Sequence, residues 1–246
     1  KVRGKKMAVK RIVELVLPEA VKKIGNNAFA ECKSMSKVIF PKNITDIGSS
    51  AFAEDGALTE VKLGAKLMSI GSYAFTRCTQ LKKLAIQSSR VRIGEFAFGA
   101  MIDGDKRANS SLISISLPNK FYGQLMEECF NSYMGTEFTW PEFLGKKESE
   151  AFLKRALNLR MIRFPKGIKK IYIPADSLWT EAKVKKLVIP EGVKLAKLER
   201  QNYPLDRLIV KGKKTVINTQ EKNIDHEIPA AEMIAPDDSK AAAYAK

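Results

Sequence analysis

Short runs of alternating apolar and polar residues return along the chain and predict short strands. The first four runs are Val13–Leu17, Lys37–Phe40, Glu60–Leu63 and Lys83–Ile86. An alternation with a period of two is typical of a strand that buries one face. A residue that interrupts a strand follows each of the first three runs: Pro18, Pro41 and Gly64. Proline ends a strand because it lacks the N–H group of the ladder.

Two dipeptides follow these strands, and each recurs at one constant interval. They are Ile24-Gly25, Ile47-Gly48, Ile70-Gly71 and Ile93-Gly94, and Ala28-Phe29, Ala51-Phe52, Ala74-Phe75 and Ala97-Phe98. A period of about 20–29 residues is typical of a leucine-rich-repeat solenoid, whose stacked units share one core. We expect the four phenylalanines to form an internal ladder. The glycines suit either a positive φ or a close approach of the next coil.

The repeat therefore predicts a single elongated α/β domain, a leucine-rich-repeat solenoid wound as a right-handed β-α superhelix. The number of strand ends in the sequence indicates about nine coils. We expect a parallel sheet on the concave side and irregular or short-helical segments on the convex side. A strand and a short helix that Ser239 or Asp238 could cap are expected near the C-terminus. The predicted organisation is regular repeats over 12–98, an insertion loop over 99–111, degenerate repeats over 112–217 and a C-terminal cap over 218–246.

The outward positions of the predicted strands form two columns. The first column is Glu14, Lys37, Glu60, Lys83, Ser114, Glu137, Met161, Lys186 and Arg207. The second column is Val16, Ile39, Lys62, Ala85, Ser116, Thr139, Arg163, Val188 and Ile209. The first column alternates in sign over its first four members, which favours ion pairs worth up to about 1 kcal/mol each. The second column begins with small or apolar residues, which suit contact with a protein partner.

The sequence offers little catalytic chemistry. Cys32 and Cys78 share one repeat position two coils apart, about 9.6 Å by strand spacing, which is too far for a disulfide. We expect them and Cys129 to be free and buried. His226 is the only histidine, and no GxSxG or HExxH motif occurs. We predict no enzyme activity, no catalytic residue, no cofactor and no metal site.

The charge of the chain is strongly positive and uneven. Its net charge is +16 over 246 residues, and residues 141–222 hold 20 Lys and Arg against 9 Asp and Glu. Such a basic region could attract polyanions, or it could be a solvated lysine-rich face that keeps an elongated protein soluble. No apolar run reaches the length of a membrane-spanning helix, and no signal peptide is visible at Lys1–Lys6.

The stretches Val38–Phe52 and Ile24–Cys32 resemble the unit of the BspA-like leucine-rich-repeat family, an LxxVxLP strand followed by a VxxIGxxAFxxC turn. The resemblance implies a secreted or surface-attached protein, typically bacterial, that binds other proteins such as host extracellular-matrix components. It implies an extracellular or cell-surface location. The resemblance implies no catalytic residue, and it is better evidence for the fold than for the identity of the ligand.

The late coils are the predicted ligand site. They place Arg163, Lys186 and Arg207 near Tyr172 and Trp179, and Arg, Tyr and Trp are favoured anchors of interfaces. The alternative for the two aromatic residues is core packing. The primary hypothesis is a protein-binding adhesion module that uses the concave sheet. The alternative is binding of a polyanion (cell-wall polymer, glycosaminoglycan or nucleic acid) by the basic late coils, and a structural spacer is a third reading. The sequence does not determine the oligomeric state.

Overall fold

The computed structural model describes residues 12–99, 112–131, 133–144, 156, 158–173, 184–198, 205–218 and 230–244. Over these residues the chain is a parallel β-solenoid of about seven turns with almost no helix. The strands up to residue 116 are β1 (Glu14–Val16), β2 (Lys23–Ile24), β3 (Lys37–Ile39), β4 (Asp46–Ile47), β5 (Glu60–Leu63), β6 (Ser69–Ile70), β7 (Lys83–Ile86), β8 (Arg92–Ile93) and β9 (Ser114–Ser116). The later elements are β10 (Lys120–Phe121), β11 (Gln124–Leu125), β12 (Glu137–Thr139), β13 (Glu142–Phe143), β14 (Met161–Arg163), β15 (Lys170–Ile173), β16 (Lys186–Ile189), β17 (Leu195–Leu198), β18 (Leu205–Val210), β19 (Val216–Asn218), β20 (Ala230–Ile234) and α1 (Lys240–Tyr244).

Two columns of parallel strands build the solenoid. We call the column formed by the repeat-opening strands the first sheet; its ladders are β1-β3, β5-β7-β9, β12-β14 and β16-β18-β20. The second sheet follows the turn after each of those strands, with ladders β2-β4-β6-β8-β11, β10-β13 and β15-β17-β19. The register confirms the predicted neighbours within each ladder of the first sheet, such as Glu14 beside Lys37, Glu60 beside Lys83 and Lys186 beside Arg207.

The predicted β-α superhelix of nine coils is not confirmed. In the part of the chain that the structure describes, α1 is the only helix, and the turns number about seven. The count of nine came from strand-ending residues, but the ladder of the first sheet is interrupted between β3 and β5, between β9 and β12, and between β14 and β16. A strand end in the sequence therefore does not guarantee a regular turn of the solenoid.

The Ala-Phe segments form turns instead of helices because their amides bond to the next coil. In the first coil, the N–H groups of Asn27, Phe29 and Glu31 donate to carbonyl groups of the coil that follows, at 3.0, 2.8 and 2.7 Å. Asn27 and Glu31 have positive φ angles of 54° and 63°. A helix needs a continuous run of negative φ and N–H bonds to residue i−4. These turns therefore use their amides to stack the coils.

The phenylalanine ladder is confirmed. Successive rings of Phe29, Phe52, Phe75 and Phe98 stack with centroids 5.3, 5.1 and 4.9 Å apart and planes within 16° of parallel. Phe130 continues the series at 5.7 Å with a 30° tilt. Offset-stacked rings at this distance gain about 0.5–1.5 kcal/mol per pair beyond the area they bury. The ladder forms the centre of the early core.

Close approach of neighbouring coils explains the repeated glycine. A Cβ atom on Gly71 would lie 2.4 Å from the Ser49 backbone nitrogen, and one on Gly94 would lie 2.5 Å from that of Ser72. Neither glycine has a positive φ, whereas Gly167 and Gly192 in the late coils have φ angles of 78° and 84°. Close approach is therefore the reason for the repeated glycine, whereas Gly167 and Gly192 occupy a different repeat position, two residues after Pro165 and Pro190.

The late coils use longer strands in the second sheet. β15 and β17 span four residues each, against two residues in β2, β4, β6 and β8. β13 and β15 are not joined by a ladder, and the buried Glu142 carboxylate accepts the N–H groups of Lys169 and Lys170 at 3.0 and 2.9 Å. A side chain therefore links these two coils.

The predicted C-terminal strand and helix are present as β20 and α1. β20 pairs with β18 in parallel. The Ser239 hydroxyl accepts the Ala242 N–H at 3.0 Å, so Ser239 is the N-cap of α1. Asp238 instead binds the Lys213 ammonium at 2.9 Å. The cap thus attaches to the turn that precedes β19.

Candidate protein-binding face

The outer face of the first sheet exposes apolar side chains beside ion pairs. Val16 and Ile39 are neighbours in register, and they are 61% and 42% exposed. Next to them, the Lys37 ammonium binds the Glu14 carboxylate at 2.7 Å. Exposed apolar area rimmed by polar groups is the usual composition of a protein-contact surface. This end of the face could bury apolar area against a partner while its charges stay paired.

The predicted alternation of charge is realised in one of its pairs. Glu14 and Lys37 form the expected bridge, but the Glu60 carboxylate binds Lys62 on its own strand at 3.2 Å. Glu60 and Lys83 are neighbours in register, and no ion pair joins them in the described structure. Glu60 has two nearby lysines, Lys62 on its own strand and Lys83 on the next, and it pairs with Lys62.

Two grooves open on this face where the first sheet is interrupted. One, of about 430 Å³, lies between β3 and β5 and is lined by residues 36–40 together with Thr59, Glu60 and Lys62. The other, of about 480 Å³, lies between β14 and β16 and is lined by residues 160–164 together with Lys186, Val188 and Pro190. A missing ladder lets neighbouring strands separate. The breaks therefore give an otherwise flat sheet places where a partner's side chain could insert.

Arg163 is fixed at the edge of the late groove. Its Nε and Nη2 atoms donate to the two carboxylate oxygens of Glu137 at 2.7 and 2.9 Å. This hydrogen bonding from Arg163 lowers the pKa of Glu137. Lys186, on the neighbouring strand of the groove, forms no ion pair with any described residue. The groove thus combines an oriented guanidinium group with an ammonium group that has no fixed counter-ion among the described side chains.

The structure brings together only part of the predicted ligand site. Arg163, Lys186 and Arg207 all lie on exposed positions of the first sheet, and Arg207 binds Glu232 at 2.7 Å. Tyr172 lies on β15 in the second sheet, with the Lys197 ammonium 4.8 Å from its ring centroid. Trp179 lies outside the described residues. The sequence could not reveal this division because it does not show that β15 belongs to a second sheet.

Asp55 is a buried carboxylate that the sequence pattern did not single out. It occupies the repeat position of Cys32 and Cys78 in the coil between them. It is 0% exposed, and neither carboxylate oxygen has a hydrogen-bond partner. Burial raises the pKa of Asp55 to about 7, and the nearby Cys32 backbone amide acts against the rise. Because no substrate can reach this carboxyl group, its perturbed pKa bears on stability and not on catalysis.

The three cysteines are free and buried, as predicted. Burial, followed by the charge of Asp55, raises the pKa of both the Cys32 and the Cys78 thiol. Within the described ranges, no three His, Cys, Asp or Glu side chains are placed to hold a metal ion. His226 lies outside those ranges. Among the helices that can be described, none has the length and apolar character to cross a membrane.

Comparison with known proteins identifies the repeat. Six copies of the BspA type leucine rich repeat region match residues 7–103 and 100–175. The comparison with curated proteins found no match.

Three solved structures are similar to the chain, which spans roughly two thirds of the length of each. A leucine-rich repeat protein from Bacteroides ovatus has 17% identity over 92% of this chain and 71% of its own, with a TM-score of 0.45. A leucine rich cell surface protein from Faecalibacterium prausnitzii has 16% identity over 84% and 65%, with a TM-score of 0.40. The pneumococcal vaccine antigen PcpA has 15% identity over 85% and 68%, with a TM-score of 0.39. Because the family match covers more than half of the residues, the chain belongs to the BspA-type leucine-rich-repeat family.

Proposed function

We propose that the chain is a non-enzymatic protein-binding module of an extracellular or cell-surface adhesion protein, and that the outer face of its first sheet makes the contact. Repeat families of this kind are typically binding proteins. The proposed partner is a protein, with a host extracellular-matrix component as the first candidate. The observation that carries the proposal is the exposed apolar pair Val16 and Ile39 beside a closed ion pair.

The late half of the same face supplies polar anchors. Arg163 and Arg207 are held by Glu137 and Glu232, so their guanidinium groups are oriented before a partner arrives. Lys186 lies between them in the same sheet and could receive an acidic side chain of the partner. Pre-oriented side chains reduce the entropy that is lost on binding. Binding of a polyanion is less well supported on this face, because both arginines already have carboxylate partners.

The test is binding of the purified chain to immobilised extracellular-matrix proteins across a salt series. The variant Ile39→Thr keeps a β-branched side chain but removes apolar area, and we expect it to weaken binding about tenfold, a loss of about 1.4 kcal/mol. The matched control is Met68→Thr, which removes a similarly exposed apolar side chain outside the first sheet. The proposal fails if both variants lose binding equally, or if heparin competes all binding away.

A further inference from the structure

The second sheet of the late coils presents an unusual concentration of lysines. Its three strands and the turns that lead into them are residues 165–173, 190–198 and 211–218, which contain eight lysines, no arginine and one acidic residue, Glu191. We call this surface the lysine face. Its lysines are Lys166, Lys169, Lys170, Lys194, Lys197, Lys211, Lys213 and Lys214. All are exposed except Lys197, which is half-buried.

Carboxylates neutralise little of this charge. Lys197 lies over the Tyr172 ring, and among the other lysines only Lys213 forms an ion pair with a carboxylate that can be described, that of Asp238 at 2.9 Å. The nearby Glu142 carboxylate is buried and already accepts two backbone N–H groups. The first sheet of the same coils differs, because Arg163 and Arg207 each have a carboxylate partner and only Lys186 of its three basic side chains has none among the described residues.

The stacking of the coils sets the spacing of the charges. The Lys194 N–H donates to the Lys169 carbonyl at 2.8 Å, and the Val216 N–H donates to the Lys194 carbonyl at 3.1 Å. Lys169 and Lys194 are therefore one strand spacing apart, about 4.8 Å. Like charges at this distance repel each other. A linear anion lying across the coils would remove that repulsion and release the ions condensed on it.

The chemistry of the lysine face favours one class of polyanion. We propose that it binds a linear sulfated polysaccharide that runs across β15, β17 and β19. Tyr172 is the only aromatic residue of the three segments, and the Lys197 ammonium covers its ring. No ring is then left on which a nucleotide base could stack, and no arginine is present to read a base edge. This site is separate from the proposed protein-binding face and goes beyond that function.

The test measures heparin binding by the full chain by calorimetry over a salt series. We expect the triple variant K169Q/K170Q/K194Q to bind heparin at least tenfold more weakly. The slope of log affinity against log salt should fall by roughly two to three. The matched control is K33Q/K42Q/K82Q, which removes the same net charge from exposed lysines outside the lysine face. It should change the affinity less than twofold.

Three results would overturn the proposal. The first is no heparin binding by the unmodified chain at low salt. The second is an equal loss in both triple variants, which would mean that only the net charge matters. The third is binding of single-stranded DNA as tight as that of heparin at the same salt concentration. Melting curves of both variants check that folding is intact, and Ile39→Thr should leave heparin binding unchanged.

Discussion

The early coils and the late coils differ in the length of the strands that form the second sheet. Between residues 12 and 99, the second sheet has strands of two residues, and a turn with a stacked phenylalanine completes each coil. Between residues 158 and 218, β15 and β17 have four residues and bury Ile171, Ile173, Ala196 and Leu198. The buried residues of these two late strands are all aliphatic.

The difference explains why the repeat fades in the sequence although the solenoid continues. A phenylalanine ladder needs one ring at a fixed position of each coil, so it leaves a strict period. A longer strand needs only apolar residues at alternate positions, so it tolerates unequal intervals between successive coils. The glycines of the two regions also differ in position and role: the early Ile-Gly glycines permit close contact between coils, and Gly167 and Gly192, two residues after a proline, permit a positive φ.

The largest expected effect is at an early glycine. Gly71→Ala would place a methyl group 2.4 Å from the Ser49 nitrogen, and separating the coils would disturb the phenylalanine ladder. We expect a loss of about 3 kcal/mol or more in the free energy of unfolding, measured by urea denaturation. Gly25→Ala is the control, since nothing lies within 4 Å of a Cβ atom there, and it should change stability by less than about 0.5 kcal/mol. Equal losses would refute the close-approach explanation.

The next largest effect is expected at Glu142, whose carboxylate links the coil of β13 to β15. Glu142→Ala removes the acceptor of two backbone N–H groups, and we expect a loss of about 2–3 kcal/mol. Glu142→Gln keeps one carbonyl oxygen and should lose roughly half as much. Hydrogen exchange at the amides of Lys169 and Lys170 should accelerate in the alanine variant. Unchanged exchange there would show that the carboxylate does not hold β15 in place.

A smaller effect of opposite sign is expected at Asp55. Asp55→Cys, kept reduced, restores the residue type found in the adjacent coils and removes a carboxylate without hydrogen bonds, so we expect a gain of about 1–3 kcal/mol at pH 8. The folded pKa of about 7 exceeds the unfolded value near 3.9. The stability of the unmodified protein should therefore fall as the pH rises from about 4 to 7.

A variant without a titrating group at position 55 is the control for this pH dependence. Asp55→Asn has no titrating group, so the slope between pH 4 and 7 should decrease in both variants. Both variants should be more stable than the unmodified protein at pH 8, and Asp55→Cys more so, because a buried amide still lacks hydrogen-bond partners. Urea denaturation at pH 5 and pH 8 measures both quantities. A slope that persists in Asp55→Asn would assign the pH dependence to other groups.

The smallest effect is at a late glycine. Gly192→Ala adds a Cβ atom with only ordinary contact to Lys169, so the cost is that of a positive φ, about 1–2 kcal/mol. Gly192→Asn should cost less, because asparagine tolerates this conformation. Thermal unfolding of the two variants measures the difference. An alanine variant as unstable as Gly71→Ala would mean that the late coils are packed like the early ones.

The alternating pattern and the strict period identified the strands, their register and the phenylalanine ladder. Glu14 and Lys37 pair as the spacing required, and the family match agrees with the Ile-Gly and Ala-Phe pairs. Of the irregular and short-helical forms expected on the convex side, the described Ala-Phe segments take the irregular one, because their amides bond to the next coil, which the sequence does not show. Three of the five residues of the predicted ligand site share one sheet, and their role in binding stays a prediction.

What the sequence determined by itself is what repeats: a side chain at a fixed interval meets its copy one coil away, so periodicity alone specifies stacking, register and core. What only the tertiary structure decided depends on contacts between unlike segments. It set the breaks in the first sheet where the grooves open, placed Tyr172 on the second sheet and left the buried Asp55 carboxylate without a hydrogen-bond partner. These contacts have no period, because each arises once from the local fit between two neighbouring coils.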